Sequence, residues 1–175
     1  SGELFLESID KLFKCTLKSR MESSKDFEIK LFKNPNDMIK KIKELNKKMG
    51  LCRTVAGYDW EWETQGKTYK EIEEEGLYDF DFDGKKYIWN HTREGWILSS
   101  NAVNEIGCIH TVQGYDLNYV GVIIGPDISY NKEKNKIEVH IDELKDKNVK
   151  RGTDETIVKN YIINTYKVLM ERGIK

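Results

Sequence analysis

The run Tyr119-Val120-Gly121-Val122-Ile123-Ile124-Gly125 carries four branched apolar side chains, no charge and a closing glycine. So short a run, with that composition, reads as a parallel strand buried on both faces, and such a strand needs helices covering each side. Cys108-Ile109-His110 reads as a second short strand of the same kind, and Leu51 to Tyr58 as a third. The covering helices are also legible. Asn34 is an N-cap before Pro35, Met38, Ile39, Ile42, Leu45 and Met49 share one face, and Gly50 is the stop. A helix over about 154–171 starts behind Thr153, with Asp154 and Glu155 in its first turn, and ends at Gly173. Residues 4–18 carry apolar groups at three-to-four spacing and predict a third helix. Strand–helix alternation of this kind predicts an α/β domain, a mainly parallel sheet flanked by helices.

Two segments depart from that pattern, and both predict exposed or half-exposed strands. Asp26 to Phe32 alternates with period two, which would place Phe27, Ile29 and Leu31 on one face. Tyr78 to Phe82 and Lys85 to Trp89 flank Asp83-Gly84, a β-hairpin on a type I′ turn with Tyr78, Phe80 and Phe82 facing inward. The hairpin forms part of an insertion over about 59–100. Lys136 to Ile141 is a further period-two strand.

With 175 residues, 38% of them hydrophobic, one domain with its own core is expected. The balance of 29 Lys and Arg against 30 Asp and Glu gives no global attraction to nucleic acid or anionic membrane. It conceals two local excesses: six Lys against two acids from Lys33 to Lys48, and ten acids against two Lys from Asp59 to Asp83. No apolar stretch is long enough to span a membrane. Cys15, Cys52 and Cys108, odd in number and without a C-x-x-C pair, fit free thiols in a reducing compartment, so a soluble, cytoplasmic protein is expected.

Several motifs fail on inspection. Gly66-Lys67-Thr68 ends like a phosphate loop, but the first glycine of G-x-x-x-x-G-K-[ST] would be Glu61, so a surface turn is expected. Asp79-Phe80-Asp81-Phe82-Asp83-Gly84 opens like a calcium loop, yet its twelfth position is Asn90 and no helix precedes it. The same acids could serve a Mg²⁺-dependent nuclease, although a solvated hairpin is the simpler reading. His91, His110 and His140 have no ligand spacing among the cysteines, and no G-x-S-x-G occurs.

The informative stretches are Gly107-Cys108-Ile109-His110-Thr111-Val112-Gln113-Gly114-Tyr115-Asp116, leading into the buried strand, and Asn164-Thr165-Tyr166-Lys167-Val168-Leu169-Met170-Glu171-Arg172-Gly173. Together they resemble motifs V and VI of superfamily 1 helicases. More closely, with Val55-Ala56-Gly57-Tyr58-Asp59-Trp60-Glu61-Trp62 and Trp89-Asn90, they are similar to the Schlafen group 3-like DNA/RNA helicase domain family. The likeness runs in order along nearly the whole chain.

The resemblance implies a single C-terminal RecA-like lobe over residues 1–175, one half of a longer ATPase. Arg172 would be the arginine finger. Gln113, Gly114 and Asp116 would lie at the ATP cleft, with Asp116 in place of a longer glutamate. His110 and Thr111 would meet a nucleic-acid backbone, and Trp60 and Trp62 could stack bases, although core packing is the simpler role for both. ATP and Mg²⁺ would be held mainly by an N-terminal RecA-like lobe expected before residue 1, and a further strand is expected after the arginine. The partners implied are that lobe and DNA or RNA, and the lobe alone should not hydrolyse ATP. Glu171 stands where the family has a small hydroxyl residue and could pair with Arg172, which keeps open a non-catalytic interaction module. The metal nuclease built on Asp79, Asp81 and Asp83 is the third reading.

Overall fold

The computed structural model describes residues 2–19, 21, 23 and 27–174. At its centre lies a three-stranded parallel sheet, in the order β4-β1-β5, formed by β1 (Cys52–Ala56), β4 (Ile106–Gly107) and β5 (Tyr119–Ile123). β1 is central, with Thr54 opposite Ile106 on one side and Gly121 on the other. All five β1 residues are buried, as a two-sided strand requires.

Helices cover both faces. α2 (Pro35–Met49) starts where Asn34 accepts a hydrogen bond from the Asn36 amide, and it buries Ile39 and Ile42. It crosses β5 where Gly121 leaves room, since a Cβ there would sit 2.9 Å from Ile42. The opposite face is covered by α6 (Glu155–Met170) and α1 (Gly2–Phe13), where Val55, Ile9, Phe13, Val158, Ile162, Tyr166 and Leu169 form one core. A second core on the α2 side joins Ile39, Ala56, Phe80, Trp89, Ile106, Cys108 and Ile123.

Between β1 and β4 lie α3 (Tyr69–Glu75), the hairpin β2 (Phe80–Phe82) and β3 (Lys85–Tyr87), and two short 3₁₀ turns, Trp96–Leu98 and Ala102–Asn104. Asp83 and Gly84 both have positive φ, as the type I′ turn demands. Gly66 to Thr68 is the surface turn expected, and Thr68 forms a capping box with Glu71 at the start of α3. After β5 come a second hairpin, β6 (Ile128–Asn131) with β7 (Lys136–Val139), the 3₁₀ turn Ile141–Glu143 and the short helix α5 (Lys147–Lys150).

The structure corrects several local expectations. Cys108-Ile109-His110 is not a strand: β4 ends at Gly107, and Ile109–Val112 form one helical turn, α4. The Thr111 hydroxyl is the cause, because it bonds both the Cys108 amide, at 3.1 Å, and its carbonyl, at 2.9 Å. No strand forms over 27–32. Phe27 packs on Phe5 at 5.1 Å between ring centroids, and Leu31 is 84% exposed, so the alternation marks an irregular segment rather than a strand. Asp26 lies outside the described residues. Tyr78 is exposed rather than inward. Asp154, not Thr153, caps α6, accepting from the Thr156 amide at 2.8 Å. Gly173 is not a left-handed stop; it sits in a parallel bridge with Leu117. No helix among the described residues is long and apolar enough to cross a membrane.

Candidate functional site

The sheet separates the residues of interest into two groups. β1, β4 and β5 run parallel, so the chain leaves β4 at the sheet's carboxyl edge and must return past α4 to enter β5 at the amino edge. His110 belongs to the first edge. Gln113, Gly114, Tyr115 and Asp116 belong to the return, and all four are exposed.

Arg172 reaches the same amino edge from the end of α6. The Leu117 amide donates to the Arg172 carbonyl at 2.8 Å, and the Ile174 amide donates to the Leu117 carbonyl at 2.9 Å. Main-chain bonds therefore hold the end of α6 to the loop that carries Gln113 and Asp116. Among the described residues no ion pair or side-chain hydrogen bond involves Arg172, and its Nε is buried without a partner. Glu171 does not pair with it.

At the carboxyl edge, His110 is exposed on α4, and its ring lies 6.1 Å from Tyr58, just past the end of β1. Thr111 is buried, with its hydroxyl committed to Cys108, and it shapes the turn that presents His110. Asn90 supports the same turn through a 3.2 Å bond from the Cys108 amide to its Oδ1. Trp60 and Trp62 are half-buried. Trp60 packs on Phe80 at 4.9 Å and Trp62 on Trp89 at 5.8 Å, so each gives one side to the core and keeps a rim toward solvent.

The acids of the hairpin are not gathered for a cation. Asp79 is buried and accepts from the Thr64 amide and hydroxyl and from the Trp89 amide, while Asp81 bonds the Gly84 amide and Asp83 bonds Asn34. No cluster of three His, Cys, Asp or Glu residues suited to a metal occurs among the described residues.

Sequence reasoning missed a buried polar node behind the carboxyl edge. The Tyr166 hydroxyl accepts from the Gly125 amide at 3.0 Å and lies 2.7 Å from Asp127 Oδ1 and 3.0 Å from Asp59 Oδ2. One hydroxyl proton cannot serve two carboxylates, and burial, reinforced by Asp127, pushes the Asp59 carboxyl up to about 8. Burial also pushes Asp127 up, so the pair holds a shared proton near neutrality. The node explains two glycines. A Cβ at Gly125 would lie 1.5 Å from Asp59 Oδ2, and one at Gly57 would lie 2.2 Å from the Tyr166 hydroxyl.

The model of the Schlafen group 3, DNA/RNA helicase domain family matches residues 5–175. The chain belongs to this family. A protein of Saccharomyces cerevisiae described as uncharacterized is 31% identical over 162 residues, covering 86% of this chain. The chain spans about a third, 34%, of that relative's length. No solved structure matches. Membership in the Schlafen group 3 family makes the domain helicase-related, and the residues that carry the likeness have physical roles here. Gly57 and Gly125 make room for the node, Trp89 fills the second core and Asn90 holds the turn before His110.

Proposed function

We propose that this chain is the second RecA-like motor lobe of an ATP-dependent DNA or RNA helicase or translocase. The observation that carries the reading is the main-chain link between Leu117 and Arg172, which brings the unpaired guanidinium and the exposed Gln113–Asp116 loop to one edge of the sheet.

ATP is the substrate, and this chain supplies only one wall of its site. Arg172 would stabilise charge that develops on the transferring phosphoryl group, a role that suits a permanently charged planar fork. Asp116 would accept from ribose hydroxyls, and Gln113 with Gly114 would report the nucleotide state to the strand-binding edge. Mg²⁺ would be held by the first lobe, which would also bring the phosphate loop. His110 would meet the nucleic-acid backbone. The exposed return from α4 to β5 joins the two edges, so closure of the lobes on ATP would move both together.

Arg172→Ala tests the reading in a protein that carries this chain together with its first lobe. Turnover of ATP should fall a hundredfold or more with the thermal midpoint unchanged, and Arg172→Lys should recover little of it. Unchanged turnover would contradict the assignment.

A further inference from the structure

Next to His110 the carboxyl edge opens into a cavity of about 400 Å³. One wall is aromatic: Tyr58 lies 6.4 Å from Trp62 and 6.1 Å from His110 between ring centroids, and Trp60 stands beside them. The rim carries three cations, Arg93 from the loop after β3, Lys145 just before α5 and Lys147 at the first position of α5. Among the described residues, none of these three side chains has an ion pair or a hydrogen bond. Two acids also line the cavity. Asp146 accepts from the Asn148 and Val149 amides through Oδ1 alone, and Glu61 is exposed, so three cations face two acids at this rim.

In a chain of net charge −1, beside a segment with an excess of eight acids, three unpaired cations around a tryptophan–tyrosine wall call for a ligand that is both flat and anionic. Burial, with the neighbouring Cys108 thiol, pushes the Tyr58 hydroxyl up, so that wall stays neutral and does not repel an anion. Bases stack on aromatic faces in a sequence-tolerant way, and phosphates are neutralised by Lys and Arg. We propose that this cavity is a single-strand subsite that stacks a base on the Tyr58, Trp60 and Trp62 wall and holds the adjoining phosphates with Arg93, Lys145 and Lys147. The inference rests on the nucleic-acid reading above and extends its track from His110 to a defined pocket.

The tryptophans supply the probe. Trp89 and Trp96 are buried at 0% and 1% exposure, so quenching by a base would report Trp60 and Trp62. A single-stranded oligonucleotide of roughly 12 nucleotides is titrated into this chain while tryptophan emission is followed. Quenching is expected, and the pair Arg93→Glu with Lys147→Glu should weaken binding tenfold or more. Truncating the same two side chains to Ala should lower the salt slope by about 0.7 for each lost phosphate contact. The pair Lys40→Glu with Lys47→Glu on the exposed face of α2 makes the same change of charge away from the cavity and should alter binding less than twofold.

Absence of quenching, or equal weakening by the two charge-reversed pairs, would overturn the proposal. So would a mononucleotide that binds as tightly as the oligonucleotide, which would mark a free-nucleotide site. The titration needs neither ATP nor a first lobe. The subsite can therefore fail while Arg172-dependent turnover stands, and turnover can fail while the subsite stands.

Discussion

Glu105 shows how a buried polar side chain is satisfied by hydrogen bonds in this protein. Its carboxylate is 3% exposed and accepts from Trp96 Nε1 at 2.7 Å, from the His91 amide at 2.9 Å and from the Tyr69 hydroxyl. Glu105→Ala would leave two buried nitrogen donors unmatched, at about 1–3 kcal/mol for each, and urea unfolding should show the loss. Gly125 is constrained by contact, since Asp59 occupies the place of its missing side chain. Gly125→Ala should cost about 1–3 kcal/mol through overpacking, again read from the urea midpoint; an unchanged midpoint would mean that the node relaxes freely. Neither residue was legible as special in the sequence. No pattern in the sequence marks Glu105, and Gly125 reads only as the end of a strand, because Asp59, which fills the place of its missing side chain, lies far away along the chain. The family likeness singled out Arg172 and Asp116 as expected site residues, and the structure adds that the arginine Nε has no partner among the described residues.

At the level of elements, helices with clear caps and one-sided apolar stripes, such as α2 and α6, were readable almost to the residue. The strands β1 and β5 were readable because their runs are uninterrupted, but only β1 is buried throughout; β5, expected to be buried on both faces, lies at the sheet edge and is only partly buried, with Ile124 just beyond it exposed. The short ones were not. Four residues of α4 follow a two-residue strand, and the choice between helix and strand is made by one hydroxyl, that of Thr111. The alternation at 27–32 formed no strand, and β6 with β7 formed where only one of the two strands had been expected. The contact between α6 and the ends of β1 and β5 has its own pH signature through Asp59, Asp127 and Tyr166. The folded carboxyl of Asp59 titrates near 8 against its ordinary 3.8, so the unfolded chain loses that proton first as pH rises. Its contribution to stability is therefore greatest below about pH 4 and is lost progressively up to about pH 8. Asp59→Asn removes that loss, so the variant's urea midpoint should rise relative to the parent's between pH 5 and pH 8. Parallel profiles would show that the proton is not shared in the fold.

Across the whole molecule, the parallel sheet works as a divider. Leu117 and Arg172 meet at one edge, His110 and the aromatic cavity lie at the other, and α4 with the exposed loop that carries Gln113, Gly114 and Asp116 is the short path between them. The local charge excesses noted in the sequence stand apart from this path: the lysines lie along α2, and the acids mostly decorate α3 and the hairpin. That α/β layering was expected from strand–helix alternation; the division between edges was not, because it depends on where α4 turns the chain back. On the proposed motor function a domain with two such edges should transmit information, and Gln113 is the exposed residue at the head of the return loop. The most direct measurement is the stimulation of ATP turnover by single-stranded nucleic acid in a two-lobed protein that carries this chain, with and without Gln113→Ala. The account predicts that the variant still binds the strand but loses most of the stimulation; full stimulation in the variant would contradict a path between the two edges.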